Sequence, residues 1–420
     1  MRKHMRVALA GAGVAAIVLG AGALSAQHAA SGPKARYQMD VATTSGFGGM
    51  GAMGGRGMNP MAMMFGGGRG GSSVQHTLLL RLGSTLAPTG GDPQANHFMP
   101  AGADLGASVP LVTPQHVTTP EQPEAPGAPP DFQRTKGRML IFWGCGAHAG
   151  PGQPVVIDFS KLAAGQMPPH LFSTDVPVET GPTEGNSRTF GEWPNGKSHK
   201  AVTAQASLIG DHRVSGNYSP DIAFALSQDF LAPLHATSQA AADGSTLMSW
   251  NAMPAATGYY ASLFGAQQRG DGGGDVVMWS SASRQEFGGG LSDWLAPATV
   301  QRLIGEHVVM PPTQTSCTVP AEVKQAAGQF MMVQLYAYGP EADFAYPPRP
   351  ANPKTPWHID WTAKVRYRST TGLMLGMPGM ASAGDDDEDA ADRSPDQPRP
   401  KKCKPHGLGG FLKAQVGAGC

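Results

Sequence analysis

The chain has 420 residues, and its 57 glycines and 37 prolines make up about 22% of it, against roughly 12% in ordinary proteins. So many turn-forming residues exclude a coiled coil or helical bundle, while a hydrophobic content of 40% excludes a fully disordered polar chain. Lys+Arg and Asp+Glu both number 31, and this balance excludes a nucleic-acid binder that relies on a basic surface.

Residues 1–26 have the pattern of a secretory signal peptide. A positively charged start precedes the uncharged apolar run 7–23, and small residues suited to cleavage follow at 24–26. The alternative is a retained membrane anchor, but a run of about 17 residues rich in Gly and Ala is a weak membrane span. We therefore expect a periplasmic or secreted protein with no integral membrane span after cleavage.

Residues 27–73 combine a strand with a low-complexity segment. Apolar and polar residues alternate at 37–41 and again at 78–82, which predicts two strands. Between them, residues 45–73 are mostly Gly and Met and offer no periodic apolar face. The pattern predicts that the two strands pair and that the Gly/Met-rich segment is a long flexible loop between them.

The next part of the chain, residues 74–211, is predicted to be a β-rich domain. Residues 84–135 are rich in Pro and Gly, and short apolar runs at 139–143 and 154–159 predict buried strands. A weaker pattern predicts another strand at 202–209. Short strands separated by frequent turn signals are typical of a β-sandwich.

Residues 212–368 show clearer strand patterns. We predict strands at 222–226, 246–250, 258–265, 276–280, 330–338 and 357–367. The last of these alternates between apolar and polar residues over its whole length. Two short helices are predicted near 298–304, after Pro297, and near 320–326.

A resemblance appears in this second region. Residues 245–250, ending in Trp250, and residues 256–259, ending in Gly258 and Tyr259, resemble the second and third strands of fibronectin type III and related immunoglobulin-like domains. Extended loosely over 215–368, the resemblance implies a sandwich and no particular chemistry. The helical insertion at 291–327 departs from the family. The whole chain also resembles exported proteins of alphaproteobacteria to which we can attach no activity.

Residues 369–420 lose the strand pattern. An acidic run at 385–389 is followed by scattered basic residues and prolines, which is typical of a disordered charged tail. The predicted fold class is therefore mainly β, with two sandwich-like domains, short helical insertions, and disordered Gly/Met-rich and C-terminal segments.

The four cysteines of an exported chain can form disulfides in three pairings. Cys145 and Cys317 lie beside predicted strands, whereas Cys403 and Cys420 lie in the tail. This placement favours the pairs Cys145–Cys317 and Cys403–Cys420, and the alternative is that some thiols are free. Cys145 also forms a lone C-x-x-H with His148, which by itself is too few ligands for a metal site.

The Gly/Met-rich segment is the one candidate metal site. Thioether sulfur is a soft ligand that suits Cu(I). The candidate ligands are Met50, Met53, Met58, Met61, Met63 and Met64. Copper-handling segments interleave His with Met, and the nearest histidine here is His76. The alternative is that these methionines are adaptable apolar contacts.

Two further patterns bear on possible chemistry. Residues 191–198 match the phosphate-loop pattern G-x-x-x-x-G-K-S, but Pro194 removes an amide and no amphipathic helix follows, so a β-turn is favoured over a nucleotide site. No hydrolase motif of the types G-x-S-x-G or H-E-x-x-H is present in the mature chain. Residues distant in sequence can still form a catalytic triad in the folded protein, so a hydrolase remains an alternative.

Five tryptophans fall in predicted strands, where they either fill a core or form an exposed binding face. They are Trp143, Trp250, Trp279, Trp357 and Trp361. From the sequence we expect an exported, non-enzymatic envelope protein of binding or structural type, with a protein or surface partner and no cofactor. The alternatives are periplasmic copper handling through the methionines and a cryptic hydrolase.

Overall fold

The computed structural model describes residues 32–46, 74–114, 137–163, 176, 178–270, 273–329 and 331–376. In these residues the protein is mainly β, as the sequence predicts, with sixteen strands in three sheets and three short α-helices. The predicted disorder of the Gly/Met-rich segment and of the tail beyond Gly376 falls outside the described residues.

The elements are numbered along the chain. The strands are β1 (Ala35–Gly46), β2 (Gln75–Ser84), β3 (Ala95–Phe98), β4 (Ser108–Leu111), β5 (Gly137–Trp143), β6 (Val155–Asp158), β7 (Thr189–Trp193), β8 (Gly210–Gly216), β9 (Ser219–Leu226), β10 (Ala236–Ala240), β11 (Thr246–Trp250), β12 (Gly258–Gln268), β13 (Gly274–Ser280), β14 (Ser316–Val319), β15 (Met331–Tyr346) and β16 (Trp361–Leu375). The helices are α1 (Phe159–Ala163), α2 (Pro297–Gly305) and α3 (Ala321–Ala327).

A nine-stranded sheet forms the centre of the fold, in the order β6-β5-β13-β12-β15-β16-β1-β2-β7. Strands β1 and β2 pair antiparallel, which confirms the pairing predicted on either side of the Gly/Met-rich segment. Strand β1 also pairs in parallel with β16, and β5 pairs in parallel with β13. The sheet therefore takes strands from both sides of the domain boundary expected at 211/212, a position that lies within β8.

The inner face of this sheet packs against two smaller sheets, with strand orders β4-β3-β8-β9 and β10-β11-β14. One apolar cluster joins all three, with Met39 of β1, Ile222 of β9 and Trp250 of β11 among its members. The alternation of strand side chains explains the packing, because every second residue of each central strand points to this face. The main core is thus a sandwich between the nine-stranded sheet and a second layer made of two sheets.

The outer face of the nine-stranded sheet is covered over part of its area. Val300 and Leu303 of α2 pack on Tyr260 of β12 and Tyr338 of β15 in a second apolar cluster. A third, smaller cluster places Phe287 against Ile141 of β5. These two clusters leave one end of the outer face open to solvent.

Several predicted boundaries differ from the structure. Residues 202–209 form no strand, apart from an isolated bridge between Val202 and His76. Their amides bind elsewhere: that of Ser207 donates to the carbonyl of Gly102, and that of Leu208 donates to the Asp229 carboxylate. The final strand begins at Trp361 rather than 357 and runs beyond 369 to Leu375, because β15 and β1 flank it over that length.

The two strands that carry the fibronectin resemblance belong to different sheets. Strand β11 lies in the three-stranded sheet and β12 in the nine-stranded one. Across the core, the rings of Trp250 and Tyr259 lie 5.5 Å apart. Membership of that family stays a prediction.

Candidate functional site

The phosphate-loop pattern at 191–198 folds as the end of a strand followed by a tight turn. Gly191 lies within β7 and pairs with Leu82. The amide of Asn195 donates to the carbonyl of Ser198, and the amide of Ser198 donates to the carbonyl of Asn195. The Asn195 side-chain oxygen accepts a hydrogen bond of 3.0 Å from the Lys197 amide. Three amides that a phosphate loop would offer, those of Asn195, Lys197 and Ser198, are therefore bonded within the turn, in agreement with the β-turn interpretation.

Cys145 and Cys317, the pair favoured by the sequence, are joined by a disulfide. Neighbouring His148 places Nδ1 3.1 Å from a Glu322 carboxylate oxygen in an exposed contact. Within the described ranges, no three His, Cys, Asp or Glu side chains come together in a group able to hold a metal ion. The six candidate copper-binding methionines, together with Cys403 and Cys420, lie outside these ranges.

Three of the five strand tryptophans fill the core, as the first of the two interpretations predicts. Trp250, Trp279 and Trp361 are buried, and the indole of Trp279 donates to the carbonyl of Gly144 at 2.9 Å. Trp143 and Trp357 are half-buried. The five tryptophans therefore do not form one exposed binding face.

A charged group is buried on the outer face of β1. The Asp40 carboxylate accepts hydrogen bonds from Arg366 Nε at 2.6 Å, from Gln38 Nε2 at 2.9 Å, and from Arg81. The guanidinium of Arg366 also lies over the Trp294 ring, 5.4 Å from its centroid. Both carboxylate oxygens thus accept hydrogen bonds from donors on β1, β2 or β16, which makes this group a structural link between three strands.

A second polar group lies inside the sandwich. The hydroxyl of Tyr37 on β1 is 2.6 Å from Nδ1 of His97 on β3, and Nε2 of His97 is 3.0 Å from Nδ1 of His212 on β8. Nε2 of His212 then donates to the carbonyl of Leu208 at 2.7 Å. Burial lowers the pKa of both histidines and raises that of Tyr37, which favours the neutral form of all three groups.

An open depression of about 510 Å³ lies on the solvent side of the four-stranded sheet. The small side chains of Ala223 and Ala225 contribute to its lining, together with Phe98 and Arg213. The guanidinium of Arg213 lies 4.8 Å from the centroid of the Phe98 ring and 3.7 Å from the carboxylate of Asp221. The arginine is thus engaged by neighbours of its own sheet.

The open end of the nine-stranded sheet carries a row of apolar side chains, here called the apolar row. It consists of Phe264 on β12, Met332 on β15, Met278 on β13 and Met374 on β16. Phe264 pairs directly with Met332 and with Met278, and Met332 pairs with Met374. Phe264 is 44% exposed and Met332 is 38% exposed, while the two outer methionines are half-buried.

The apolar row differs from the other exposed apolar residues of the described chain, such as Val156 and Ile209, because two of its exposed members are cross-strand neighbours. The next positions on the same face, Ser262 and Gln334, are polar and uncharged and pair with each other. A contiguous apolar patch with a polar border is typical of an interaction surface. Methionine suits such a surface because its side chain adapts to different partners.

The strand patterns of the sequence predict β12 and β15 but do not identify this row. The sequence feature that indicates the row is two pairs of adjacent large apolar residues, Leu263 with Phe264 and Met331 with Met332. A strand that is apolar on both faces needs a cover on both faces. In the structure the inner face has that cover. On the outer face at this end, Met278 packs against the third apolar cluster, while Phe264 and Met332 are exposed.

The chain has no match in either of two sequence comparisons. No protein-family model matches its sequence, and no curated protein is similar to it. Among the helices that the structure describes, none combines the length and apolar content that crossing a bilayer requires.

Proposed function

We propose that this protein is an exported, non-enzymatic envelope protein of binding type and that the apolar row is its docking surface. The observation that carries the proposal is the exposed pair of Phe264 and Met332, which lie side by side on a sheet face that is covered elsewhere. Export is supported by the signal-like residues 1–26 and by the Cys145–Cys317 disulfide, since disulfides persist in oxidising compartments.

The spacing of the row favours an amphipathic helix as the partner. Neighbouring strands lie about 4.8 Å apart, so four side chains in register across four strands span roughly 14 Å. A helix rises about 5.4 Å per turn, so a helix laid across the strands meets one side chain per turn over about three turns. The uncharged border formed by Ser262 and Gln334 imposes no charge on that helix, which leaves its apolar stripe as the recognition element.

The test is the double substitution Phe264→Ser and Met332→Ser in the full-length chain. Each side chain is about 40% exposed, so covering it contributes about 1 kcal/mol. Removing both is expected to weaken partner binding roughly 30-fold. A tagged chain is used to recover bound proteins from the envelope fraction, and the affinity of the recovered partner is then measured for parent and variant.

The matched control is Val156→Ser with Ile209→Ser, two exposed apolar residues elsewhere on the fold. It should retain the parent affinity. Equal binding by the parent, the row variant and the control would exclude the apolar row as the docking surface. Circular dichroism must show that all three chains keep the same β content.

A further inference from the structure

Two buried histidines connect the layers of the sandwich. Tyr37 belongs to the nine-stranded sheet, whereas His97 and His212 belong to neighbouring strands of the four-stranded sheet. The hydrogen bond of 2.6 Å between Tyr37 and His97 therefore crosses from one layer to the other. His97 is fully buried, and His212 and Tyr37 are each 2% exposed.

The end of this hydrogen-bonded chain fixes the direction of every bond in it. The Leu208 carbonyl can only accept, so Nε2 of His212 carries a hydrogen. In a neutral His212 the other ring nitrogen, Nδ1, then accepts from Nε2–H of His97. Nδ1 of His97 in turn accepts from the Tyr37 hydroxyl. One arrangement of three hydrogens satisfies all the groups, and both rings are neutral in it.

We propose that the Tyr37–His97–His212 chain is a pH-sensitive lock that holds the four-stranded sheet on the nine-stranded sheet and opens when a histidine takes up a proton. A proton on Nδ1 of His212 would face the Nε2–H donor of His97. A proton on Nδ1 of His97 would face the Tyr37 hydroxyl, which would then have to accept instead of donate. Either proton places a charge in the core and breaks the single satisfied arrangement.

The surroundings compensate little for such a charge, because burial outweighs the Leu208 hydrogen bond and the Asp211 charge, which both raise the pKa of His212. The Phe224 ring of β9 stacks on His212 at 5.2 Å and lies 6.4 Å from His97. Asp211, next to His212 on β8, is exposed on the opposite face of that sheet. Asp229, on the loop after β9, is bound to the Ser207 hydroxyl and the Leu208 amide. No described carboxylate makes a hydrogen bond to either ring.

The sign of the pH effect follows from the neutral state of the folded protein. In the unfolded chain both histidines take up protons near pH 6.5, whereas burial lowers the pKa of each in the folded protein. The stabilisation is complete above pH 6.5 and is lost as the pH falls from there through the folded pKa values. For each histidine that is protonated only in the unfolded chain, the folded-to-unfolded ratio falls up to about tenfold with every pH unit of acidification in that range.

The first experiment is imidazole ¹⁵N NMR on the full-length chain. At pH 7.5, His97 and His212 should both show a protonated Nε2 and an unprotonated Nδ1. Neither should titrate while the protein remains folded. A folded protein in which His97 or His212 titrates near pH 6.5, or carries its hydrogen on Nδ1, would overturn the proposal.

The second experiment measures urea unfolding between pH 7.5 and 5. The triple variant Tyr37→Phe, His97→Leu and His212→Leu replaces all three hydrogen-bonded side chains by apolar ones and leaves only the Leu208 carbonyl without its donor. The parent should lose up to about 100-fold more of its folded-to-unfolded ratio per pH unit than this variant. The control His235→Gln should behave as the parent. Identical pH dependence in parent and triple variant would contradict the lock, and if the triple variant does not fold the NMR experiment decides.

Discussion

Removing the Cys145–Cys317 disulfide should destabilise the protein strongly. The bridge joins two residues that are 172 positions apart in sequence. It connects the segment after β5 to β14. A cross-link stabilises mainly by restricting the unfolded chain, and for a loop of this length the chain-entropy relation gives about 5 kcal/mol. Because stabilities of folded domains are about 5–15 kcal/mol, the double variant Cys145→Ser and Cys317→Ser should lose a large part of its stability.

The assay is guanidinium unfolding of the parent and the double variant, with and without a reductant. The reduced parent should match the variant, since both lack the bridge. A Cys403→Ser and Cys420→Ser chain keeps the bridge and is the control for changes in thiol content. The backbone hydrogen bond of 2.9 Å from Gly146 to Thr318 joins the same two segments and remains in every chain. A loss below about 1 kcal/mol in the double variant would refute the reasoning.

Two further substitutions test the packing around the sheet. Asp40→Asn leaves two arginines without their buried carboxylate and should lower the free energy of unfolding in urea by about 3–5 kcal/mol. Asp360→Asn removes an exposed ion pair and should lower it by less than about 1 kcal/mol. Equal losses would contradict the assignment of Asp40 as a structural link. Gly258→Ala places a methyl group 2.8 Å from two valine methyls and should cost about 1–3 kcal/mol in thermal unfolding, while Gly270→Ala meets nothing within 4 Å and should be neutral. An unchanged melting temperature for Gly258→Ala would contradict the close packing of α2 on β12.

Local patterns in the sequence predicted much of the strand content but not the arrangement of the sheets. Alternation at 37–41 and 78–82 was sufficient for the antiparallel pair β1 and β2, because the two strands follow each other along the chain. The parallel pairing of β1 with β16 joins Ala35 to Trp361, and no local pattern encodes a partner so distant in sequence. Short strands such as β3 and β14, each of four residues, carry too few alternating positions to be recognised.

The apolar row and the histidine chain could not be predicted from the sequence, for the same reason. His97 and His212 are separated by 115 positions, and only the pairing of β3 with β8 brings their rings together. Phe264 and Met332 read as ordinary strand residues, and their exposure follows from where α2 and its neighbours end on the outer face. What covers each face is a property of the assembled layers, which the strand patterns do not contain.

The most direct test of the proposed function is a photo-crosslink from the apolar row. A photoreactive phenylalanine analogue at position 264 of the full-length chain is illuminated in intact cells, and the linked peptides are identified by mass spectrometry. We expect a crosslink to an amphipathic helical segment of another envelope protein, and no such product from the analogue at the exposed position 209. Crosslinks of equal yield and identity from both positions, or no partner at position 264, would contradict it.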